Sequence, residues 1–323
     1  MSWSTEIAAT GFYRPKMVVD NDAYLAAARF PVAGDQTIMR TRDWCGEGET
    51  TLTMALGAVQ MALAEDPSLR DELDVLIAVS STTAPGVEAP EREHAGMGDL
   101  APLLMRSLGR NDLLGFDVKA VNCAGFLRGL QIADGLLANP NYRAALVVAS
   151  ERCSGLAVSE KNRSSFCFIL GDAAGAVVLR RRERGAATGL IDYVGGMDTA
   201  LFHDMTILPG RDALYVRGAS VGAASVKMMA ANARQLLGRN QVKVDWLLPM
   251  QTHKGLVEQL RAELEWPAAK LIWHGDVTGF SGSASIPSAL AEQLRKKVIR
   301  KGDVVLSLAV GAGLSSAGAL YRV

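Results

Sequence analysis

The chain has 323 residues, 49% hydrophobic and 21% charged, an ordinary globular composition that excludes a disordered chain. Lys plus Arg number 34 and Asp plus Glu number 34, so the net charge is +0, and neither a nucleic acid nor an anionic membrane is indicated as a partner. No apolar run reaches the roughly 18 residues of a membrane span, and the start Met1-Ser2-Trp3-Ser4-Thr5 lacks the charged and apolar regions of a secretory signal.

In chain order, apolar spacing predicts a helix over Thr50 to Ala64 and a strand over Asp74 to Ser80. Pro85 to Leu104 is one long irregular stretch, of the kind that forms a functional loop, an interface or a lid. A helix follows over Phe126 to Leu137, stopped by Asn139-Pro140. Strands are predicted at Ala144 to Ser150 and Ala174 to Leu179. Helices come next at Ala223 to Leu237 and Leu256 to Leu264, then a strand at Val304 to Ala309. The strands are continuous apolar runs, as buried strands are. Alternation of this kind indicates an α/β fold with helices covering a mostly parallel or mixed sheet.

Two pieces of the chain repeat weakly. Asp74-Val-Leu-Ile-Ala-Val matches Asp245-Trp-Leu-Leu-Pro-Met in pattern, and Ala174 to Arg180 matches Ala317 to Arg322. Two related halves, 1–182 and 183–323, joined near 182–188, account for this. Chance likeness among Ala/Gly/Val strands accounts for it equally well.

Cys45, Cys123, Cys153 and Cys167 are scattered and never form C-x-x-C. A disulfide framework or a metal site is therefore not indicated, and a reducing cytoplasm fits. Cys123 stands between a strand pattern and an amphipathic helix, followed by the small Ala124 and Gly125. Free N–H groups at a helix start favour a thiolate and can bind the oxyanion of a tetrahedral thioester adduct. Those are the needs of a cysteine that accepts an acyl group. A small residue packing a strand–helix junction has the same local pattern.

Val121-Asn-Cys-Ala-Gly-Phe126, Val147-Val-Ala-Ser-Glu151 and Gly171-Asp-Ala-Ala-Gly-Ala-Val-Val-Leu179 together resemble the thiolase-fold condensing enzymes. The group most similar is the β-ketoacyl-acyl-carrier-protein synthase III type. The resemblance continues through 244–253, 279–287 and 310–323, in the family's order and spacing. It implies a five-layered α/β/α/β/α sandwich of two pseudo-symmetric halves, usually a homodimer, and it explains the internal repeat. It implies that Cys123 is the acyl-accepting nucleophile, and that its N–H and that of Ala312, within Gly311-Ala312-Gly313, form the oxyanion hole. Family members often carry Gly at the Ala312 position, and a backbone N–H survives the change. Arg163 matches a residue near the mouth of the pantetheine tunnel, where a cation meets a coenzyme A phosphate or an acidic carrier protein; a solvated surface arginine is the alternative. No tightly bound cofactor is implied. The substrate is a coenzyme A or phosphopantetheine thioester, and the partner is acyl-CoA or acyl carrier protein.

The sequence departs from the family at two places. Decarboxylating members place His where this chain has Met250, and Asn where it has Phe280. Those two groups donate hydrogen bonds to the thioester oxygen on which charge develops as carbon dioxide leaves. A thioether and a phenyl ring donate none. The expectation is an acyltransferase that loads Cys123 and passes the acyl group to a second substrate without malonyl decarboxylation. Two rivals remain. One is a carbon–carbon bond-forming β-ketoacyl synthase with a replacement base. The other is a non-catalytic subunit of a heterodimer with a paralogue, against which the intact Cys123 motif argues.

His253, three residues after Met250 at the start of a helix, is the candidate replacement base or a helix-start residue facing solvent or the tunnel wall. His274, with Asp276 as orienting carboxylate, is a second candidate, and a structural role suits it better. His94 and His203 are expected at the surface. Glu88, Glu91 and Glu93, beside His94, form a solvated acidic loop or supply a base to a partner. Cys153 and Cys167 are expected in the core, and Cys45 at the tunnel entrance. Tunnel shape is expected to depend on the loops Arg29 to Glu49 and Pro85 to Leu104.

Overall fold

The computed structural model describes residues 3–28, 39–82, 99–119, 121–158, 165–183, 189–207 and 214–323. In chain order the strands are β1 (Trp3–Tyr13), β2 (Met17–Asp20), β3 (Thr41–Trp44), β4 (Leu73–Val79), β5 (Leu114–Val118), β6 (Ala144–Arg152), β7 (Asp172–Glu183), β8 (Gly189–Met197), β9 (Met205–Ile207), β10 (Leu214–Val216), β11 (Trp246–Pro249), β12 (Val304–Gly311) and β13 (Ser315–Arg322). The α-helices longer than four residues are α1 (Asn21–Ala27), α2 (Thr51–Ala64), α3 (Leu100–Leu108), α4 (Gly125–Leu137), α5 (Gly218–Arg239), α6 (Lys254–Glu263) and α7 (Ser285–Arg295).

Two sheets organise the chain. The first has the order β1-β7-β6-β4-β5, and the second β11-β12-β13-β8. Read from β1 and from β8 the pairing senses match: antiparallel, antiparallel, then parallel. The repeated sequence pieces fall on strands with equal places, β4 with β11 and β7 with β13. The pseudo-symmetry expected from the sequence is therefore a property of the strand order itself.

The helices form three layers around these sheets. α2 and α3 cover the outer face of the first sheet, and α5, with α6 against it, covers the outer face of the second. α4 and α7 lie between, α4 touching β4 and β6 on one side and β12 and β13 on the other. Both faces of each sheet are thus covered, which is why β4, β6, β7 and β12 are apolar without alternation. The thiolase-like five-layered α/β sandwich implied by the resemblance is what the chain adopts.

Local chemistry sets the elements. α2 begins with a capping box, in which the Thr53 N–H donates to the Thr50 Oγ1 (3.2 Å) and the Thr50 N–H to the Thr53 Oγ1 (2.8 Å). Close packing of α2 on β1 needs Gly11, where a Cβ would stand 2.1 Å from the Ala58 carbonyl oxygen. α4 buries Phe126, Leu130, Ala133 and Leu137 at helical spacing. α5 starts five residues before the predicted Ala223, because Gly218, Ala219 and Ser220 carry no apolar periodicity. The pattern also missed the long edge strand β1, whose burial alternates irregularly. Arg42 on β3 is fully buried, its guanidinium 4.6 Å from the Tyr24 ring and 4.7 Å from the Phe168 ring. Among the described residues no helix is long and apolar enough to cross a membrane.

Candidate active site

Cys123 sits in a single helical turn, Asn122–Ala124, that runs straight into α4. β5 ends at Val118, so the strand does not reach the cysteine directly as the sequence pattern suggested. Asn122 has φ 41°, a left-handed conformation rare outside glycine and best tolerated by Asn among the other residues. The end of β12 abuts this turn backbone to backbone. A Cβ on Gly311 would lie 2.1 Å from the Val121 carbonyl oxygen and 2.9 Å from the Cys123 nitrogen. Only a residue without a side chain lets the two segments meet, and their meeting brings Ala312 beside Cys123.

A cavity of about 300 Å³ opens over the sulfur. Asn122, Cys123, Ala312 and Gly313 form one wall, and Ser81, Thr82 and Gly282 also line it. The rest is apolar: Cys153, Leu156, Phe166, Leu170, Phe202, Met205, Leu214 and Phe280, with Thr206 among them. Phe280 meets Phe166 edge to face, with ring centroids 5.9 Å apart. The Phe280 backbone is clamped, its N–H donating to the Ile169 oxygen (2.7 Å) and its oxygen accepting from the Gly171 N–H (3.1 Å). Among the described lining residues there is no histidine and no charged group.

The expected site residues fall into three groups. Cys123, Ala312, Gly313 and Phe280 share the cavity wall, with Gly311 directly behind it. Met250 is buried and its N–H donates to the Leu308 oxygen (2.9 Å), but it is not among the described lining residues. Arg163 lies outside the described residues, as do His94, Glu88, Glu91, Glu93 and much of the two loops expected to shape the tunnel.

Three expectations are corrected by the packing. His253 is exposed and caps α6, its Nδ1 accepting the Gly255 N–H at 2.9 Å, so the structure does not bring it to the cavity. His274 does not pair with Asp276. Its Nε2 lies 3.3 Å from the Glu292 carboxylate, and Asp276 is held by Arg40 at 2.7 Å. Cys45 is buried against the Met54 sulfur at 3.5 Å and does not line the cavity. Cys167 is in the core and His203 at the surface, as expected. Cys153 is buried too, yet it also faces the cavity, which its strand-end position did not reveal.

Glu292 is the hub of that second cluster, with Lys296 at 2.8 Å and Arg14 at 3.5 Å beside His274. The His274 hydrogen bond, against the opposing effect of burial, holds its carboxyl down at about 2 from the usual 4.5. The stabilisation is therefore complete above about pH 4.5 and is lost as pH falls through about 2. Glu292→Gln is expected to lower unfolding free energy by about 2 kcal/mol near neutral pH. Urea unfolding should show that deficit shrinking as the pH is lowered below the ordinary carboxylate range.

The sequence reading passed over Glu151. It is fully buried, and its carboxylate accepts from Thr82 Oγ1 (2.7 Å), Ser283 Oγ (2.6 Å) and Ser81 Oγ (3.0 Å). The signal was available: a Glu closes an otherwise apolar buried strand in Val147-Val-Ala-Ser-Glu151. Burial, and then the Glu151 charge, push the Cys123 thiol up to about 12, outweighing its own N–H, which favours the thiolate. The helix start therefore does not by itself leave a resting thiolate.

Comparison with known proteins agrees with this geometry. The family model for 3-oxoacyl-[acyl-carrier-protein] synthase III matches residues 116–198, and that for the C-terminal part of the same enzymes matches 236–323. The β-ketoacyl-[acyl-carrier-protein] synthase III of Rickettsia felis is 29% identical over 333 residues, covering 98% of this chain and 99% of the relative. The crystal structure of the synthase III of Aquifex aeolicus superposes with TM-score 0.85 at 26% identity, covering 99% of this chain and 100% of that one. That of Thermus thermophilus gives 0.86 at 25% identity, covering 98% and 99%. With matched signatures spanning both sheets and a cavity built over a cysteine at a helix start, the chain belongs to the synthase III family of thiolase-like condensing enzymes and is a thioester-dependent, cysteine-based acyltransferase.

Proposed function

We propose that this member of the family loads an apolar acyl group onto Cys123 and hands it to a second substrate without decarboxylating a malonyl unit. The donor is an acyl-CoA or an acyl carrier protein thioester, and the setting is fatty-acid-like or specialised-metabolite biosynthesis in the cytoplasm, carried out by a homodimer. One observation carries the reading: the residue in the Asn position, Phe280, lies in the wall of the same cavity as Cys123 and presents only a ring.

The chemistry is a ping-pong cycle. The Cys123 sulfur attacks the thioester carbonyl, and the donor thiol leaves with the proton that Cys123 gives up. The Cys123 and Ala312 N–H groups bind the oxyanion of the tetrahedral adduct. Attack by a nucleophile that needs no loss of carbon dioxide, such as an alcohol, an amine or a reactive carbon, then returns the free thiol. Phe280 supplies apolar surface in place of a donor, and Arg163 binds the donor's phosphate or carrier.

Intact-mass spectrometry after incubation with a panel of acyl thioesters tests this. A mass increase of one acyl group is expected for wild type and none for Cys123→Ala. An enzyme that no thioester loads would refute the proposal.

A further inference from the structure

Glu151 is a buried carboxylate that no step of the cycle above uses. Its hydrogen-bond donors are neutral: the Ser81 N–H, at 3.1 Å from each oxygen, and the hydroxyls of Ser81, Thr82 and Ser283. A carboxylate at this depth ordinarily faces a cation. Among the described residues no Lys, Arg or His forms an ion pair with it, and its largest stabilising partners are those hydroxyls and the Ser81 N–H.

The carboxylate lies just behind the cavity. Ser81, Thr82 and Gly282 line the cavity, and a Cβ on Gly282 would stand 3.4–3.6 Å from the Glu151 side chain. The turn Gly282–Ala284, which carries Ser283, packs on the turn Asn122–Ala124, which carries Cys123. One layer of small residues thus separates the carboxylate from the space over the sulfur. The other titratable groups nearby are the Cys153 thiol, which faces both Glu151 and Cys123, and beyond it Asp172 and Cys167. Asp172 is already engaged by the Cys45 and Ser154 N–H groups at 2.7 Å each. Cys153 is held protonated by burial.

We propose that Glu151 and Cys123 form one proton-sharing pair, Glu151 being the positioning residue that stores the Cys123 proton during acyl transfer. As the sulfur–carbon bond forms, the Cys123 S–H bond breaks and the proton passes to the Glu151 carboxylate. When the tetrahedral adduct collapses, the carbon–sulfur bond to the donor breaks and the stored proton goes to the leaving thiolate. In the second half-reaction the acceptor's proton takes the reverse path to the Cys123 sulfur.

The Glu151 charge opposes ionisation of Cys123, so the two protons leave in separate steps and between them the pair holds a single proton. Within that range the thiolate fraction is set by how the two groups divide the proton, and it does not change with pH. An isolated thiol behaves differently, its thiolate rising about tenfold per pH unit below its pKa.

The inference rests on Cys123 being the acylated sulfur, and its test avoids thioesters. Iodoacetamide is applied to the full chain and alkylation of Cys123 is read by peptide mass mapping, so failure of acyl loading and failure of the pair are separately visible. Wild type is expected to show a plateau at least about two pH units wide between about pH 6 and about pH 10. Glu151→Gln is expected to lose the plateau and rise about tenfold per unit. Ser283→Ala, which removes one donor to the carboxylate but not its charge, is expected to keep the plateau at a level raised several-fold. A wild type without a plateau, a Glu151→Gln that keeps one, or, where that variant does not fold, a Ser283→Ala plateau that is absent or not raised overturns the proposal.

Discussion

Replacing Gly311 with Ala is expected to reduce acyl loading of Cys123 by at least about 100-fold, the scale of removing an oxyanion-hole donor. The new methyl group would stand 2.1 Å from the Val121 carbonyl oxygen and 2.9 Å from the Cys123 nitrogen. Both neighbours are backbone, so neither can rotate aside. The end of β12 must then retreat from the Asn122–Ala124 turn, and the Cys123 and Ala312 amides separate. Overpacking of this kind also costs about 1–3 kcal/mol of stability. The rate of loading by intact mass and the thermal midpoint measure both effects. Ala312→Gly is the informative contrast, since it keeps the amide and removes only a methyl group; its loading should stay within about threefold of wild type. A Gly311→Ala enzyme that loads normally would show that the contact between β12 and the Cys123 turn does not build the site.

The second large effect concerns malonyl thioesters. Each hydrogen-bond donor to a developing oxyanion supplies about 3–4 kcal/mol, and under the proposed function Met250 and Phe280 stand in the places of two such donors. Carbon dioxide release is therefore expected to be slower by about 10⁴-fold or more than in a family member with both donors. Phe280→Asn with Met250→His should raise it by about 100-fold or more, though the loss of the Phe280–Phe166 contact lowers the thermal midpoint. Release of labelled carbon dioxide from malonyl thioester measures this. Wild-type release as fast as acyl loading would return the enzyme to ordinary chain elongation, with a base supplied from elsewhere.

Much of the architecture is legible in the amino-acid sequence. Buried strands such as β4, β6 and β12 announce themselves because helices cover both of their faces, leaving no reason for polar alternation. Helix α4 does so because Phe126, Leu130, Ala133 and Leu137 recur at helical spacing. Edge elements were harder: β1 faces a neighbour on one side only, and its pattern carries little period. The setting of the candidate nucleophile was legible too, since a cysteine followed by Ala and Gly at a helix start is a local arrangement.

What surrounds that sulfur was not, and the reason is distance along the chain. Cys123 shares its cavity with Ser81, Cys153, Phe280 and Ala312, which lie on segments brought together only by packing the two sheets across α4 and α7. His253 illustrates the limit: three residues from Met250 it looked within reach, but the same imidazole is consumed by the first turn of α6. Cys123, Met250 and Phe280 were therefore set by the sequence alone, because residue type fixes which groups can attack or donate. The fold decided their surroundings, because Gly311 must touch the Cys123 turn and Glu151 must lie behind it, and both are contacts made across long chain separations.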